Sequence, residues 1–424
     1  MPNICVFEDD KYVKLLPLAY SRPVYGLRCG MTILLEKILR QYPRVAIDLV
    51  CREYLVETVK RSHLTAIINK LSSVSSCLFL NGRILANHEL TKKIPLNGPE
   101  EIFSKDNVVV AARLSKDNLL SMRDKMTEPL AADVFAGMEA DKKIVDVKLI
   151  DHPFDLIAEN TRVLTEDIKA LARLGSVKGK LHSTVAVYQK DAVFVDDRAE
   201  IMAQSVLDAS EGPVYISKGV KIYPHTYVRG PVYIGEDSII LGGRIRGGTS
   251  IGPKCKVHGE VAETIIHGYS NKAHGGFIGH SYICEWVNIG AGTVTSDLKN
   301  TYGHVKVWSD GKMVDSGQMF IGSFIGDHSK IGIGTRLNTG TVIGVASNVF
   351  GNGFPPKYIP SFSWGGAEGL SGHDLDKAIK TTKIVMSRRD IEMGDTDEML
   401  LRKIHEMTKE KREEKPKKEE KQEI

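Results

Sequence analysis

The sequence predicts a chain in two parts, an α/β domain with a mostly parallel sheet followed by a left-handed parallel β-helix of hexapeptide repeats. Three observations predict it. The 424-residue length exceeds what one hydrophobic core usually serves. Aliphatic residues recur at every sixth position through much of the second half. In the first 150 residues or so, apolar strand-like runs alternate with helical stretches.

The repeat comes first because missing it would misassign the fold. Ile216, Ile222, Val228, Ile234 and Ile240 are six apart; Ile239, Ile245, Ile251 and Val257 continue the period after a one-residue slip. Ile325, Ile331, Leu337, Ile343 and Val349 form a third run, and Gly follows several of these, as in Ile234-Gly235, Ile251-Gly252 and Ile331-Gly332. A period of six fits neither a helix face nor a strand alone, so the unit is a short strand plus a turn, three units closing one triangular coil. The aliphatic residue points inward and stacks on its equivalents one coil away.

The strand candidates of the first part are Ile4 to Phe7, Val45 to Val50, Cys77 to Leu80 and Val108 to Ala112, with helical stretches at Met31 to Arg40 and Val56 to Ser62. The domain is taken as residues 1–152, a linking helix as 153–179, the β-helix as 180–355 and a C-terminal segment with a helix from about Asp374 to Asp390 as 356–395. Residues 396–424, ending KEKREEKPKKEEKQEI, are charged with little to bury, the pattern of a disordered tail.

Composition excludes several classes of function. With 42% hydrophobic and 26% charged residues, and no apolar run near the roughly 20 residues of a membrane span, no membrane partner is expected. The start MPNICVFEDDKYV lacks the regions of a secretory signal, so the expected compartment is the cytoplasm. The net charge of +4 gathers into no basic stripe, which argues against nucleic acid. Six well-separated cysteines without a CxxC pair read as reduced structural thiols.

Between the second and third hexad runs lies HGYSNKAHGGFIGHSYICEWVNIGAGTVTSDLKNTYG. His274, Phe277 and the block Asn288 to Thr293 stand at the spacing of a motif in the acetyltransferase half of bifunctional N-acetylglucosamine-1-phosphate uridylyltransferases, which this segment resembles. Acyl transfer to an amine needs a group that takes the amine proton, and imidazole titrates near working pH, so His274 is the candidate general base. The resemblance implies Glu260 as the carboxylate orienting His274, Asn288 and Phe277 as substrate contacts, and Gly290 and Ala291 within a turn of oxyanion-binding N–H groups. It also implies Lys306 and Ser323 along the channel of an acetyl-CoA or other acyl-CoA cofactor, and a homotrimer with its sites between neighbouring prisms. Phe277 replaces the family's usual Tyr, and Ala262 and Glu263 stand where a basic phosphate ligand is expected. The other histidines of the repeat, including His258, His267, His280 and His304, read as ordinary turn residues.

FEDDKYVKLLPLAYSRPV resembles the opening strand and loop of sugar nucleotidyltransferases, which implies a Rossmann-like nucleotidyltransferase-type domain. Asp9, Asp10 and Tyr12 occupy the loop that is usually Gly-rich, and Lys14 stands at the position of its Arg. Mg²⁺ in such enzymes is held by a carboxylate after a strand, because a hard cation bridging phosphates takes oxygen ligands. Here LFLNGR offers Asn81, so the metal ligands are unassigned. SRPVYGLRCG and HPFDLIAEN resemble a divergent subgroup of these transferases fused to the same β-helix. Arg22 and Arg28 are then candidate phosphate ligands, and Asp155 and Asn160 candidates for sugar or metal.

Together the resemblances imply a transferase that joins a nucleoside triphosphate to a sugar 1-phosphate, with Mg²⁺, and a second site that moves an acyl group from CoA to an amino sugar. Two alternatives stand beside this reading. One keeps only acyl transfer, with a sugar-nucleotide-binding first domain; the other makes the β-helix a trimeric scaffold carrying a regulatory ligand module.

Overall fold

The computed structural model describes residues 3–72, 75–126 and 128–413. The chain forms two compact units, Met1–Leu27 with Thr32–His152, and Arg28–Met31 with Pro153–Ile424. The expected fold class, an α/β domain followed by a left-handed parallel β-helix, is the one observed.

The first unit is built on a seven-stranded sheet. Its order is Ile67–Ile68, Ala46–Val50, Asn3–Phe7, Ser76–Asn81, Val108–Ser115, Glu101–Lys105, Asp141–Ile144. The first four strands run parallel. Every residue of Asn3–Phe7 is buried, as expected for a strand covered on both faces. The other half departs from the expected parallel arrangement, because Val108–Ser115 pairs antiparallel with both of its neighbours. The local cause is the two-residue turn Asp106-Asn107, both at positive φ (47° and 62°), the backbone a tight hairpin needs. The strand ends that carry Glu8, Arg52 and Asn81 converge at one edge of this sheet.

The second unit stacks short parallel strands into three walls. The inward residues of the first wall include Ile216, Ile234, Ile251, Ile266, Ile283, Ile325 and Ile343. Those of the second are Ile222, Ile240, Val257, Lys272, Ile289, Ile331 and Val349. Those of the third are Leu207, Val228, Ile245, Val261, Ile278, Thr295 and Leu337. The slip seen in the hexads is a shortened corner at Gly242-Gly243, which keeps Ile240 and Ile245 inward and turns Ile239 partly outward. Between Thr295 and Phe324 the repeat is interrupted by an antiparallel hairpin, Lys306–Ser309 with Lys312–Asp315, while Ile283 and Ile325 remain direct neighbours.

The helix Pro153–Leu171 buries Phe154, Ile157, Val163, Leu164 and Ile168. C-terminal to the walls, the helix Leu375–Ser387 starts at Asp374, whose side chain accepts from the Lys377 N–H at 2.8 Å. A further helix, Asp395–Met407, occupies part of the expected tail, because Leu400, Leu401 and Ile404 are buried on one side of it. Residues 414–424 of that tail lie outside the described residues. Among the described residues, no helix is long and apolar enough to cross a membrane.

The ladder of the first wall makes a direct stability prediction. Ile251 is completely buried. Ile251→Ala is expected to lower the unfolding free energy by about 2–5 kcal/mol, and Ile251→Val by about 1 kcal/mol, in urea unfolding of the full chain. Equal, near-zero costs would show that the ladder is not what holds the coils.

Candidate functional site

His274 lies at the corner between the second and third walls, two residues after the inward Lys272 and three before Phe277. Gly276 follows at φ 131°, and a Cβ there would sit 2.2 Å from the Thr293 carbonyl oxygen, so only glycine fits. The next coil passes close by, with the Gly292 N–H donating to the Gly275 carbonyl at 2.9 Å. This contact brings the His274 turn and the Gly290–Gly292 turn together. The N–H groups of Gly290 and Gly292 are spent on ladder bonds to Ile331 and Gly275. Among the described residues the Ala291 N–H has no hydrogen-bond acceptor, which leaves it available as a donor. Asn288 is exposed on the second wall, its amide oxygen 3.4 Å from the Asn271 amide nitrogen of the coil before.

The His274 turn is held from inside by a lysine that the hexad reading passed over. Lys272 occupies an interior position of the second wall between Val257 and Ile289, and is 2% exposed. Its ammonium donates to the carbonyl oxygens of His274 and, at 2.7 Å, of Gly275. Burial pushes its pKa down to about 8. A charged side chain in an aliphatic ladder costs stability, and here it fixes the backbone that carries the imidazole.

The remaining predicted residues of this unit separate into groups. Phe277 stands on the outer face of the third wall, directly between Glu260 and Val294. Glu260 is bound to Arg246 at 3.0 Å rather than to His274, whose side chain is exposed and has no hydrogen bond or ion pair among the described residues. Lys306 is exposed at the start of the inserted hairpin. Ser323 lines no surface channel: it is fully buried beside Ser281, whose hydroxyl accepts its N–H at 2.9 Å. Small hydroxyl residues recur at this inner corner, Thr264, Ser281 and Thr341 among them, because their side chains bond nearby carbonyls. His280, read as an ordinary turn residue, has its Nδ1 2.8 Å from the Asp297 carboxylate and its ring stacked on Phe320 at 5.3 Å.

The edge of the sheet where the triphosphate loop is expected is occupied by buried ion pairs, and of the expected phosphate ligands Arg22 and Arg28 reach backbone carbonyls. In the first unit Glu8 and Arg52 form a buried ion pair at 3.1 Å, and Arg52 also donates to the carbonyls of Ala19 (2.6 Å) and Arg22 (2.8 Å). Asp9 takes the Arg83 guanidinium, Nε to Oδ1 at 2.9 Å, and the Asn81 amide at 2.9 Å. The Asn81 side-chain amide oxygen accepts the Arg83 backbone N–H at 3.0 Å. These donors do not fit Mg²⁺: Asn81 brings no negative charge, and the carboxylate beside it is neutralised by a buried arginine. Among the described residues, no group of three or more His, Cys, Asp or Glu is placed to hold a metal ion. Lys14 lies in the last turn of the short helix Asp10–Leu15, and Arg22 reaches the Leu18 carbonyl at 3.4 Å; both are half-buried.

Arg28, Asp155 and Asn160 belong instead to the second unit. Asn160 is fully buried, accepting from the Gly30 N–H at 2.7 Å and donating to the Gly248 carbonyl at 2.8 Å. It fastens the helix to the β-helix and is closed to sugar and metal. Arg28 donates to the carbonyls of Met31 and, at 3.3 Å, His267, so carbonyls rather than phosphate occupy it. Asp155 sits half-buried in the first turn of its helix.

Residues 4–174 match the model of the family described as Sugar nucleotidyl transferase. The chain is similar to the bifunctional sugar-1-phosphate nucleotidylyltransferase/acetyltransferase of Sulfurisphaera tokodaii, 37% identical over 91 residues, 22% of this chain and 23% of that one. It is also similar to the bifunctional protein GlmU of Methanococcus aeolicus, 25% identical over 418 residues, 87% of this chain and 94% of that one. The likeness read from the sequence is thereby borne out. The chain spans 23% of the Sulfurisphaera protein and 50% of the GlmU of Heliobacterium modesticaldum, so over these relatives the match is partial. Among solved structures, a UDP-N-acetylglucosamine acyltransferase is 17% identical, with a TM-score of 0.21, covering 57% of this chain and 88% of that one. A likeness at that score carries no weight for the architecture.

The interior lysine makes a pH-dependent prediction. The folded protein gives up the Lys272 proton near pH 8, whereas the unfolded chain holds it to about pH 10.4. The unfolded state therefore binds more protons between these values, and the Lys272 contribution to stability rises with pH across that window. Lys272→Met is expected to gain most on the parent below pH 8, the gap narrowing towards pH 10. Urea unfolding of both proteins at pH 7, 8.5 and 10 measures it; a gap independent of pH would refute a charged lysine inside the wall.

Proposed function

We propose that the chain is a transferase of activated-sugar metabolism with two activities. The first unit joins a nucleoside triphosphate to a sugar 1-phosphate and releases pyrophosphate; the β-helix transfers an acyl group from a CoA thioester to a sugar amine. The observation that carries this reading is the similarity, running through both units together, to one bifunctional protein over 418 residues.

In the β-helix, bound acyl-CoA would supply the activated acyl group. The His274 imidazole takes the amine proton as the nitrogen attacks, and returns it to the departing thiolate. The Ala291 N–H donates to the carbonyl oxygen as that atom gains negative charge. Asn288 offers an amide to the acceptor, and Lys272 keeps the imidazole at its corner. Phe277 presents an apolar ring without a hydroxyl, which fits an acceptor held there by packing. A homotrimer is part of the proposal, because His274 and Asn288 are exposed on a single prism and a neighbouring wall would close the site around them.

A second reading is favoured by the Asp9–Arg83 pair and by Asn81 at the metal position. It keeps acyl transfer and reduces the first unit to binding a sugar nucleotide. Pyrophosphate release with a panel of nucleoside triphosphates and sugar 1-phosphates in Mg²⁺ separates the two, and silence across the panel would overturn nucleotidyl transfer.

His274→Gln is expected to lower acyl transfer at least 100-fold, the usual scale of a general base. The assay is thiol release from acetyl-CoA with several amino sugars, and the variant is expected to unfold at the parent's temperature. Unchanged thiol release would remove His274 from the chemistry.

A further inference from the structure

We propose that the cavity between the C-terminal helix and the second wall of the β-helix binds a phosphate ester, gripped by Arg389, Arg388 and Lys330. The cavity encloses about 270 Å³. Its helix side carries Thr381, Val385 and the two arginines; its wall side carries Asn271, Asn288 and Lys330, with Tyr269 and Trp286 at the adjoining corner. The inference extends the acyl-transfer reading, since Asn288 is common to both.

The case for an anion rests on charge and on unspent donors. Three cationic side chains line the space and no carboxylate does. Arg389 gives one N–H to the Asn271 amide oxygen at 2.6 Å, while its Nε is buried with no hydrogen-bond partner among the described residues. A buried guanidinium N–H without an acceptor is costly, and a phosphate oxygen is the acceptor its geometry suits. Lys330 stands directly above Asn288 on the same wall. Its ammonium donates to the carbonyls of Trp286 (2.9 Å) and His328 (2.8 Å), which leaves a third hydrogen for a ligand. Burial pushes its pKa down to about 7, so an anion beside it would restore the proton.

The rest of the lining fits the body of such a ligand. Tyr269 and Trp286 stack at 4.5 Å between centroids, giving a flat apolar slab beside the amides of Asn271 and Asn288. The volume lies below the roughly 300–1,000 Å³ of pockets for drug-sized ligands, so it suits a small phosphorylated ring or the phosphate end of a longer molecule. A sugar phosphate and the phosphates of CoA share this chemistry.

Tryptophan fluorescence can test the site in the full chain. All three tryptophans (Trp286, Trp308, Trp364) belong to the second unit, so binding to the first unit has no tryptophan there to report it. Titration with glucosamine 1-phosphate and with CoA is expected to give a saturable change with at least one, displaced by inorganic phosphate. Trp286→Phe should abolish the change. Arg389→Gln should raise the midpoint tenfold or more, as for loss of a hydrogen bond between charged groups. Arg388→Gln, altering an exposed side chain, gives the same test should the first variant fold poorly. A response to the sugar phosphate alone assigns the cavity to the acceptor, and to CoA alone, the donor. No saturable change with either ligand, or a parental midpoint in both folded arginine variants, overturns the proposal. Binding without acyl transfer in the parent would leave the cavity standing and remove the acyltransferase reading; transfer without binding would do the reverse.

Discussion

Each coil of the β-helix must place three side chains into one narrow interior, and everything else in the second unit depends on that constraint. Residues such as Ile234, Ile251 and Ile266 are neighbours only because the walls repeat in register, and each is buried by the coils before and after it. A chain under this constraint has little freedom inside. Its freedom is at the corners and on the outer faces, and the groups assigned to chemistry are found there: His274, Ala291 and Asn288. Lys272 is the exception, and its position gives the reason. It breaks the apolar rule in the coil that turns into His274, spending a buried charge on the backbone that carries the imidazole.

The hexad spacing made most of the walls legible, because burial demands an aliphatic residue at a fixed interval and composition records it. Three features escaped for definite reasons. Lys272 broke the apolar signature at the position where it mattered. The hairpin 306–315 has no hexads, and the continuation of the coil past it is shown by strand pairings such as Ile283 with Ile325 and Ile289 with Ile331. The bond between His280 and Asp297 links residues 17 apart, a distance that means adjacency only once the coil length there is known.

In the first unit the strands were legible and the site was not. Charged residues at the ends of parallel strands suggest ligands, yet Glu8 takes Arg52 and Asp9 takes Arg83, partners 44 and 74 residues away. Those pairings follow from strand order, which local pattern does not state. Two buried ion pairs at the edge where a triphosphate is expected make that edge rigid and leave its carboxylates neutralised. The similarity of residues 4–174 to sugar nucleotidyltransferases and this electrostatics pull in different directions, because a loop that receives a metal–triphosphate needs carboxylates that are not already paired.

A parallel β-helix also changes what a motif is. Its outer faces are columns, with neighbours spaced by one coil, about 4.8 Å, so a ligand longer than one coil touches residues far apart in sequence. Asn271, Asn288 and Lys330 form such a column, 17 and 42 residues apart. The run Asn288 to Thr293 could be recognised because one corner holds it whole. Lys330 and the pair Arg388-Arg389 could not, since they enter the cavity from two distant stretches of chain and only the stacking of coils against a helix brings them together. Recognition in this architecture is therefore read down the columns, and the linear motif marks only the corner that carries His274, the proposed base.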